Sequence, residues 1–316
     1  MLLLVGCVFL SILSLQIVMA SAFRELLSER LVENRPHLSS SSLKTYISIL
    51  FNLHKHLQQD HSDLSWFNTR IDEIINYLKD KPSQSRKSTL AALFVLTNNP
   101  KFRELMIDDC KVVNENYKNQ KKSTKEKENW ISKDLIKNKY DDLYTTVKKM
   151  FSKTAVADTS VIVEYLLIAL LGGVLPSFAP RRSLDYALMK IRNYDVKKDN
   201  YYKAGKLYFH TYKTSNVYGL QVISVPDELN KIIKKWIKIN DTDYLLFSTN
   251  RNPLSSSQIT RLLNKIFDGK KVSVDLLRHI YLTDYYKNIP ALRDMEALAR
   301  DMGHSVSTAM TYIKKE

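Results

Sequence analysis

The chain has 316 residues, enough for two domains with separate cores, and its 48 Lys and Arg against 33 Asp and Glu give a net charge of +15. This excess favours a polyanionic partner, either nucleic acid or an anionic membrane surface. Only 7 glycines occur, and neither GxGxxG nor GxxxxGK[ST] is present, which argues against a Rossmann or P-loop nucleotide-binding enzyme. Two cysteines, Cys7 and Cys110, cannot build a disulfide framework or a zinc site, so a reducing compartment is the simplest interpretation.

Residues 1–22 form an uncharged, strongly apolar leader. Three interpretations stay open: a signal peptide cleaved after Ala20, a short membrane anchor, or an over-long reading frame whose true start is Met19. No Lys or Arg precedes the apolar stretch, which speaks against the signal peptide.

Residues 23–117 carry helical signals throughout and predict a small all-helical domain. The serines at 39–42 can cap the first strongly periodic helix. Apolar side chains recur at helical spacing in segments 43–57, 70–79, 85–97 and 102–113. Residues 118–129 contain no large apolar residue and five lysines, and we expect a flexible basic linker there.

The second domain, residues 130–316, is predicted to be mainly α with a small antiparallel β-sheet, an α+β fold. The apolar helix within 158–172 is too short to span a bilayer and is expected to be a buried core helix. The other predicted helices are 132–152, one starting over 181–190, 227–239, 257–267, 273–287, 290–301 and 306–313. The predicted strands are 193–196, 206–212 and 220–225, with Gly205 and Gly219 at turns.

Four polar features follow one another along this second domain. In chain order they are Arg182 at a helix start with Asp185 three residues on, Lys213-Thr214 between two predicted strands, Asp275 and Arg278 on one helix, and His304 eight residues before Tyr312. Singly, each has an ordinary explanation: a helix-surface ion pair, a solvated lysine, a helix C-cap, or one tyrosine among 18.

Together the four features resemble the catalytic signature of the tyrosine recombinase or phage integrase family, over about residues 130–316. In that family an Arg opens a helix, a Lys lies in a hairpin turn, an HxxR motif follows on a helix, and Leu/Met-Gly-His-Ser precedes a Tyr. The Pro-Arg-Arg at 180–182 and the Met-Gly-His-Ser-Val at 302–306 are most similar to recombinases of large DNA viruses and mobile elements.

The resemblance implies DNA cleavage and rejoining through a 3′-phosphotyrosyl intermediate on Tyr312, without metal or cofactor. Arg182 and Arg278 would clamp the non-bridging phosphate oxygens, and His304 would donate a further hydrogen bond. Because the attacking hydroxyl loses its proton and the leaving 5′ oxygen gains one, Lys213 is expected to serve as general acid.

Two positions allow more than one interpretation of the site. Asp275 stands where the family usually has the His of HxxR, so its role as general base or as a residue that orients Arg278 is a hypothesis. Arg181 competes with Arg182 for the role of first catalytic Arg, and we expect a change at Arg181 mainly to weaken DNA binding.

The resemblance also implies that residues 23–117 are a core-binding, SAM-like DNA domain and that the two domains clamp duplex DNA like a C. A homotetramer on two double-stranded DNA sites, acting inside the cell wherever its DNA lies, is the expected assembly.

Three other functions are compatible with parts of the sequence. A catalytically degenerate DNA-binding protein on the same fold is the main alternative, and Asp275 is its best argument. A type IB topoisomerase has similar chemistry. A metal-dependent nuclease is disfavoured, because the adjacent pairs Asp108-Asp109 and Asp141-Asp142 point in different directions on a helix.

Overall fold

The computed structural model describes residues 2–57, 63–118, 122–152, 158–287 and 292–314, and it gives no side chains for 2–17, 117–118 and 292–293. The chain divides into two compact units, Met1–Asn119 and Gln120–Glu316. The boundary lies next to the predicted end of the first domain at residue 117.

The described residues of the first unit form six helices. They are α1 (Leu2–Asn34), α2 (Ser40–Leu57), α3 (Trp66–Thr69), α4 (Ile71–Leu78), α5 (Ser83–Thr97) and α6 (Pro100–Lys118). The four periodic segments correspond to α2, α4, α5 and α6. Helix α1 continues through residue 22 and buries Phe23, Leu27 and Leu31 in the core of this unit. Among the described residues, no helix has the length and apolar character needed to cross a membrane.

The second unit contains the remaining helices and a sheet. Its helices are α7 (Thr124–Asn129), α8 (Lys133–Met150), α9 (Thr159–Leu171), α10 (Ser183–Ala187), α11 (Ser215–Tyr218), α12 (Asp227–Ile239), α13 (Ser256–Ile266), α14 (Val274–Tyr285), α15 (Leu292–Asp301) and α16 (Val306–Met310). Every residue of α9 from Ile162 to Leu171 is buried, which confirms the predicted core helix. The predicted fold class, mainly helical with a small antiparallel sheet, is confirmed.

The sheet has the order β1 (Tyr201–Lys203), β2 (Lys206–Phe209), β3 (Gln221–Ser224), and both pairs are antiparallel. Gly205 lies in the turn between β1 and β2 with φ of 81°, a conformation that glycine adopts readily. Strand β2 ends earlier than predicted because the Asn200 side chain accepts hydrogen bonds from the backbone N–H groups of His210 and Thr211, both at 2.8 Å. The chain is thereby turned toward the loop that carries Lys213.

Three sequence predictions were wrong. The predicted strand at 193–196 is a turn, because the Asp195 and Asp199 carboxylates bind backbone N–H groups within the segment. The helix expected from 181–190 is limited to α10, which ends at Ala187. The backbone N–H of Lys190 donates to the Asn200 carbonyl instead of continuing the helix.

The third error concerns the predicted flexible linker, whose residues 124–129 form α7. A capping box closes its N-terminus: the Ser123 side chain accepts from the Glu126 N–H, and the Glu126 side chain accepts from the Ser123 N–H. At its end Asn129 is buried and accepts a hydrogen bond from the Lys271 backbone at 2.8 Å. These polar contacts fix the segment without the large apolar side chains that the sequence prediction looked for.

Candidate active site

Helix α14 places Arg278 in the interior of the second unit. The Ser273 side chain caps the helix by accepting from the Leu276 N–H at 3.1 Å. Arg278 has 0% exposed surface, and its Nε and Nη2 have no hydrogen-bond partner among the described residues. Burial lowers the pKa of Arg278, and the positive charge of the nearby Arg182 lowers it further. A buried, incompletely paired cation is costly, and a bound anion would offset that cost.

The adjacent Arg181 and Arg182 have different environments. Arg181 is fully buried, and its Nε donates to Asp185 Oδ2 at 2.8 Å. Its guanidinium carbon lies 4.2 Å from the centre of the Phe209 ring. Arg182 is partly exposed and donates from Nη1 to the Gly303 carbonyl at 3.3 Å. Asp185 therefore pairs with Arg181, four residues away, and not with Arg182 as the sequence spacing suggested.

The turn between α15 and α16 carries His304 and is fastened by several side chains. Gly303 has φ of 74°, and a Cβ there would lie 3.3 Å from Arg182 Nη1. The Gly303 carbonyl accepts from Thr214 Oγ1 at 2.7 Å as well as from Arg182. Two positions earlier, the Asp301 carbonyl accepts from Arg181 Nη1. These contacts join the turn to α10 and to the loop after β2.

His304 is buried, with only 4% of its surface exposed. Burial, together with the positive charges of Arg278 and Arg182, lowers the pKa of His304 from 6.5 to about 3. Its imidazole is therefore neutral at physiological pH and retains one N–H donor.

Tyr312 follows α16 and lies among aromatic and cationic side chains. Its hydroxyl is 3.4 Å from Arg278 Nη1, and the Arg278 guanidinium carbon is 4.8 Å from the centre of its ring. The His304 ring stacks against it at 5.2 Å with an interplanar angle of 17°. The next residue, Ile313, is buried in a small apolar cluster with Leu282, Leu298, Ala299, Met302 and Ala309. This packing fixes the backbone of the tyrosine.

Lys213 and Asp275 are exposed and line a cavity next to Tyr312. A cavity of about 290 Å³ is lined by Arg182, Lys213, Asp275 and Tyr312, together with Ser183, Leu184, Ser256, Thr260, Ser273 and Val274. Lys213 is exposed in the loop between β2 and β3. The Asp275 side chain is 75% exposed, and its Oδ1 lies 3.6 Å from Arg278 Nη1.

All six residues proposed from the sequence thus lie at one place. Four line the cavity, and the other two, Arg278 and His304, are buried in contact with Tyr312. The sequence reasoning missed Gln221, whose amide donates to the Arg300 carbonyl at 2.8 Å and whose Oε1 accepts from Arg181 at 2.6 Å. Within the described ranges, no group of three or more His, Cys, Asp or Glu could hold a metal ion.

The similarity of the chain to known proteins is one of fold. No sequence-family model and no curated protein matches the chain. The solved structure of XerH site-specific recombinase bound to difH substrate, a pre-cleavage complex, matches 93% of this chain and 81% of its own with 13% identity and a TM-score of 0.53. A lambda integrase dimer bound to a COC′ core site matches 92% and 76% with 15% identity and a TM-score of 0.49. XerA recombinase matches 92% and 94% with 16% identity and a TM-score of 0.42.

The likeness to XerH shows that the chain has the fold of the tyrosine recombinases, as the sequence predicted. At 13% identity this likeness defines the fold alone.

Proposed function

We propose that the protein is a DNA strand transferase of the tyrosine recombinase type, a site-specific recombinase or integrase. The observation that carries the proposal is the position of the Tyr312 hydroxyl, 3.4 Å from Arg278 Nη1 at a cavity also lined by Arg182 and Lys213. A nucleophilic hydroxyl thus lies beside a buried cation that has unused donors.

In the proposed step, the Tyr312 oxygen attacks the phosphorus of a DNA phosphodiester. The new bond is a 3′-phosphotyrosyl ester, and the bond to the 5′ oxygen breaks. Lys213 gives the leaving oxygen its proton, and the exposed Asp275 carboxylate accepts the tyrosine proton directly or through water. The reverse reaction with another strand's 5′ hydroxyl rejoins the DNA, so the step needs no external energy source.

The cationic side chains stabilise the charge that grows on the phosphate in the transition state. Arg278 lies in a buried environment, where an electrostatic interaction is stronger than in water. Arg182 reaches the same cavity from α10 and is held at the Gly303 carbonyl. The neutral His304 can donate one further hydrogen bond.

Double-stranded DNA is the proposed partner, and residues 23–117 are the proposed core-binding DNA domain. The net charge of +15 supports a polyanionic ligand. A homotetramer on two DNA sites, acting inside the cell wherever that DNA lies, follows from the family resemblance of the site.

The proposal is tested with a library of random-sequence DNA duplexes, so that the protein selects its own site. The full chain is incubated with the library, denatured with SDS and assayed for protein that retains DNA. The parent is expected to form such adducts and Tyr312→Phe to form none, while both bind duplex DNA equally. Failure of the parent to form any adduct, although it binds DNA, would overturn the enzymatic proposal.

Asp275 favours a second candidate, a DNA-binding protein of the same fold that has lost catalysis. Its exposed carboxylate brings negative charge to the cavity that is proposed to hold a phosphate. If Asp275→His forms adducts and the parent does not, this second candidate is correct. A type IB topoisomerase would relax supercoiled plasmid without exchanging strands between two sites.

A further inference from the structure

A polar cluster that takes no part in the proposed chemistry lies beside Tyr312. It consists of Glu126 on α7, His279 on α14 and Lys314 near the end of the chain. Glu126 Oε1 lies 2.6 Å from His279 Nδ1 and 3.8 Å from Lys314 Nζ. The three side chains are 18%, 17% and 4% exposed, so the cluster is largely shielded from water.

The two carboxylate oxygens of Glu126 have separate partners. Oε2 closes the capping box by accepting from the Ser123 N–H at 2.8 Å and from its hydroxyl at 2.7 Å. Oε1 is left to face His279 and Lys314. The capping box thereby holds the carboxylate in one orientation toward the cluster.

Lys314 ties the end of the chain to this carboxylate. Its backbone N–H donates to Thr283 Oγ1 on α14 at 3.0 Å, and its side chain points into the cluster. Burying an ammonium group is costly unless an anion compensates it. Burial raises the pKa of Glu126, but the hydrogen bonds from Ser123 and the charge of Lys314 outweigh that effect and lower it, so the carboxylate is ionised at physiological pH.

His279 connects Glu126 with the tyrosine ring. Because an ionised carboxylate only accepts, the Nδ1 of His279 donates to it. Burial and the charge of Lys314 lower the pKa of His279, so the ring is neutral at physiological pH. The same ring also contacts Tyr312, edge to face, with 4.9 Å between the ring centres and an interplanar angle of 70°.

We propose that Glu126 is a positioning residue for Tyr312, acting through His279 against the tyrosine ring and through Lys314 two residues further along the chain. The inference rests on the proposed role of Tyr312 as nucleophile. It means that the short helix just after the boundary between the two units helps to set the geometry of the attacking group. A displacement of about 1 Å at a reacting group can lower a rate on the order of a hundredfold, so such an anchor matters for the reaction.

The test uses Glu126→Gln, because glutamine also serves as the third residue of a capping box and so preserves α7. Glu128→Gln is the matched control: it removes the same charge from an exposed position on the same helix. The full chain carries 3-fluorotyrosine at position 312, and its fluorine resonance is recorded without DNA. Glu126→Gln is expected to shift or broaden this resonance, and Glu128→Gln to leave it unchanged.

Lys314→Met removes one member of the same cluster and leaves the sequence of α7 unchanged. It is the variant to use if Glu126→Gln lowers the stability of the protein. It is expected to move the same resonance. If both variants leave the resonance as in the parent, the positioning role is wrong, whether or not the protein cleaves DNA.

Adduct formation gives the second measurement. At saturating DNA, Glu126→Gln should slow it about tenfold with unchanged DNA affinity, and Glu128→Gln should match the parent. The double variant with Lys314→Met should be no slower than Glu126→Gln alone, since both act through one cluster. A parental rate in Glu126→Gln would contradict the proposal. If the parent forms no adduct but the resonance still moves, the proposed function fails, whereas the positioning of Tyr312 by Glu126 through His279 and Lys314 stands.

Discussion

The hydroxyl of Tyr312 lies 3.4 Å from Nη1 of Arg278, a side chain with 0% exposed surface. The group proposed to attack a phosphate thus adjoins the cation proposed to hold it, although the two residues are 34 positions apart in the sequence. A phosphate at this hydroxyl would lie beside the guanidinium.

Arg181 and Arg182 are expected to differ sharply when each is changed to Ala. Arg181→Ala leaves Asp185 buried without its partner and should lower the free energy of unfolding by about 3–5 kcal/mol. Arg182→Ala should change stability by no more than about 1 kcal/mol and lower adduct formation by about 10²–10³. Urea denaturation followed by tryptophan fluorescence measures the first effect, because Trp236 is buried in the same unit as Arg181.

This prediction replaces the sequence expectation that Arg181 mainly serves DNA binding. Full adduct formation in Arg182→Ala would show that Arg182 does not hold the phosphate. Equal stability of the two variants would contradict the structural role of the buried pair Arg181–Asp185.

Lys213 is expected to protonate the leaving 5′ oxygen. A substrate with sulfur at the 5′ bridging position has a leaving group that needs no proton, so it should restore cleavage in Lys213→Ala. It should not restore cleavage in Arg278→Ala, whose defect is in charge stabilisation. Lys206→Ala, a change at an exposed lysine on β2, the strand before the loop that carries Lys213, should cleave the oxygen substrate like the parent. Equal rescue of Lys213→Ala and Arg278→Ala would count against a general acid.

Asp275 is expected to assist the reaction without dominating it. Its carboxylate is 75% exposed and 3.6 Å from Arg278, close enough to orient that side chain or to accept a proton at the cavity. Asp275→Ala should slow adduct formation by roughly 10–100-fold, at or below the usual range for general-base help. Asp275→His should keep or raise the rate. Parental activity of Asp275→Ala would leave the residue as a surface acid of α14.

The burial of His304 is expected to make the free energy of unfolding depend on pH. In the folded chain its imidazole stays neutral down to about pH 3, whereas in the unfolded chain it takes up a proton near 6.5. The stabilisation is fully present above about pH 6.5 and is lost as the pH falls from there toward 3, by at most ~1.4 kcal/mol per pH unit. Between about pH 7 and about pH 5, the parent should therefore lose more stability than His304→Gln. Equal losses in parent and variant would place the acid sensitivity in other groups.

Much of the fold could be predicted from the sequence because its signals are local. The apolar run of α9 requires burial, and the periodic faces of α2 and α13 require one packed side. The six proposed site residues also follow local motifs, and the structure brings them to one place. Their chemical roles remain predictions.

The remaining features depend on contacts between distant parts of the chain. Arg181 and Arg182 are distinguished by their burial, and no sequence pattern indicates which of two adjacent arginines points inward. Glu126 and His279 are 153 positions apart, and α7 consists only of polar residues, so the helix was mistaken for a linker. Gln221 likewise binds the Arg300 carbonyl 79 positions away.

The central claim is that Tyr312 forms a covalent bond to DNA. The most direct test is to trap the parent on duplex DNA under denaturing conditions, digest the adduct with nuclease and protease, and map the modified residue by mass spectrometry. The account predicts a nucleotide phosphate on Tyr312, and no adduct from Tyr312→Phe, whose ring can keep its contacts with Arg278 and His304. A nucleotide on any other residue, or an adduct that persists in Tyr312→Phe, would contradict it.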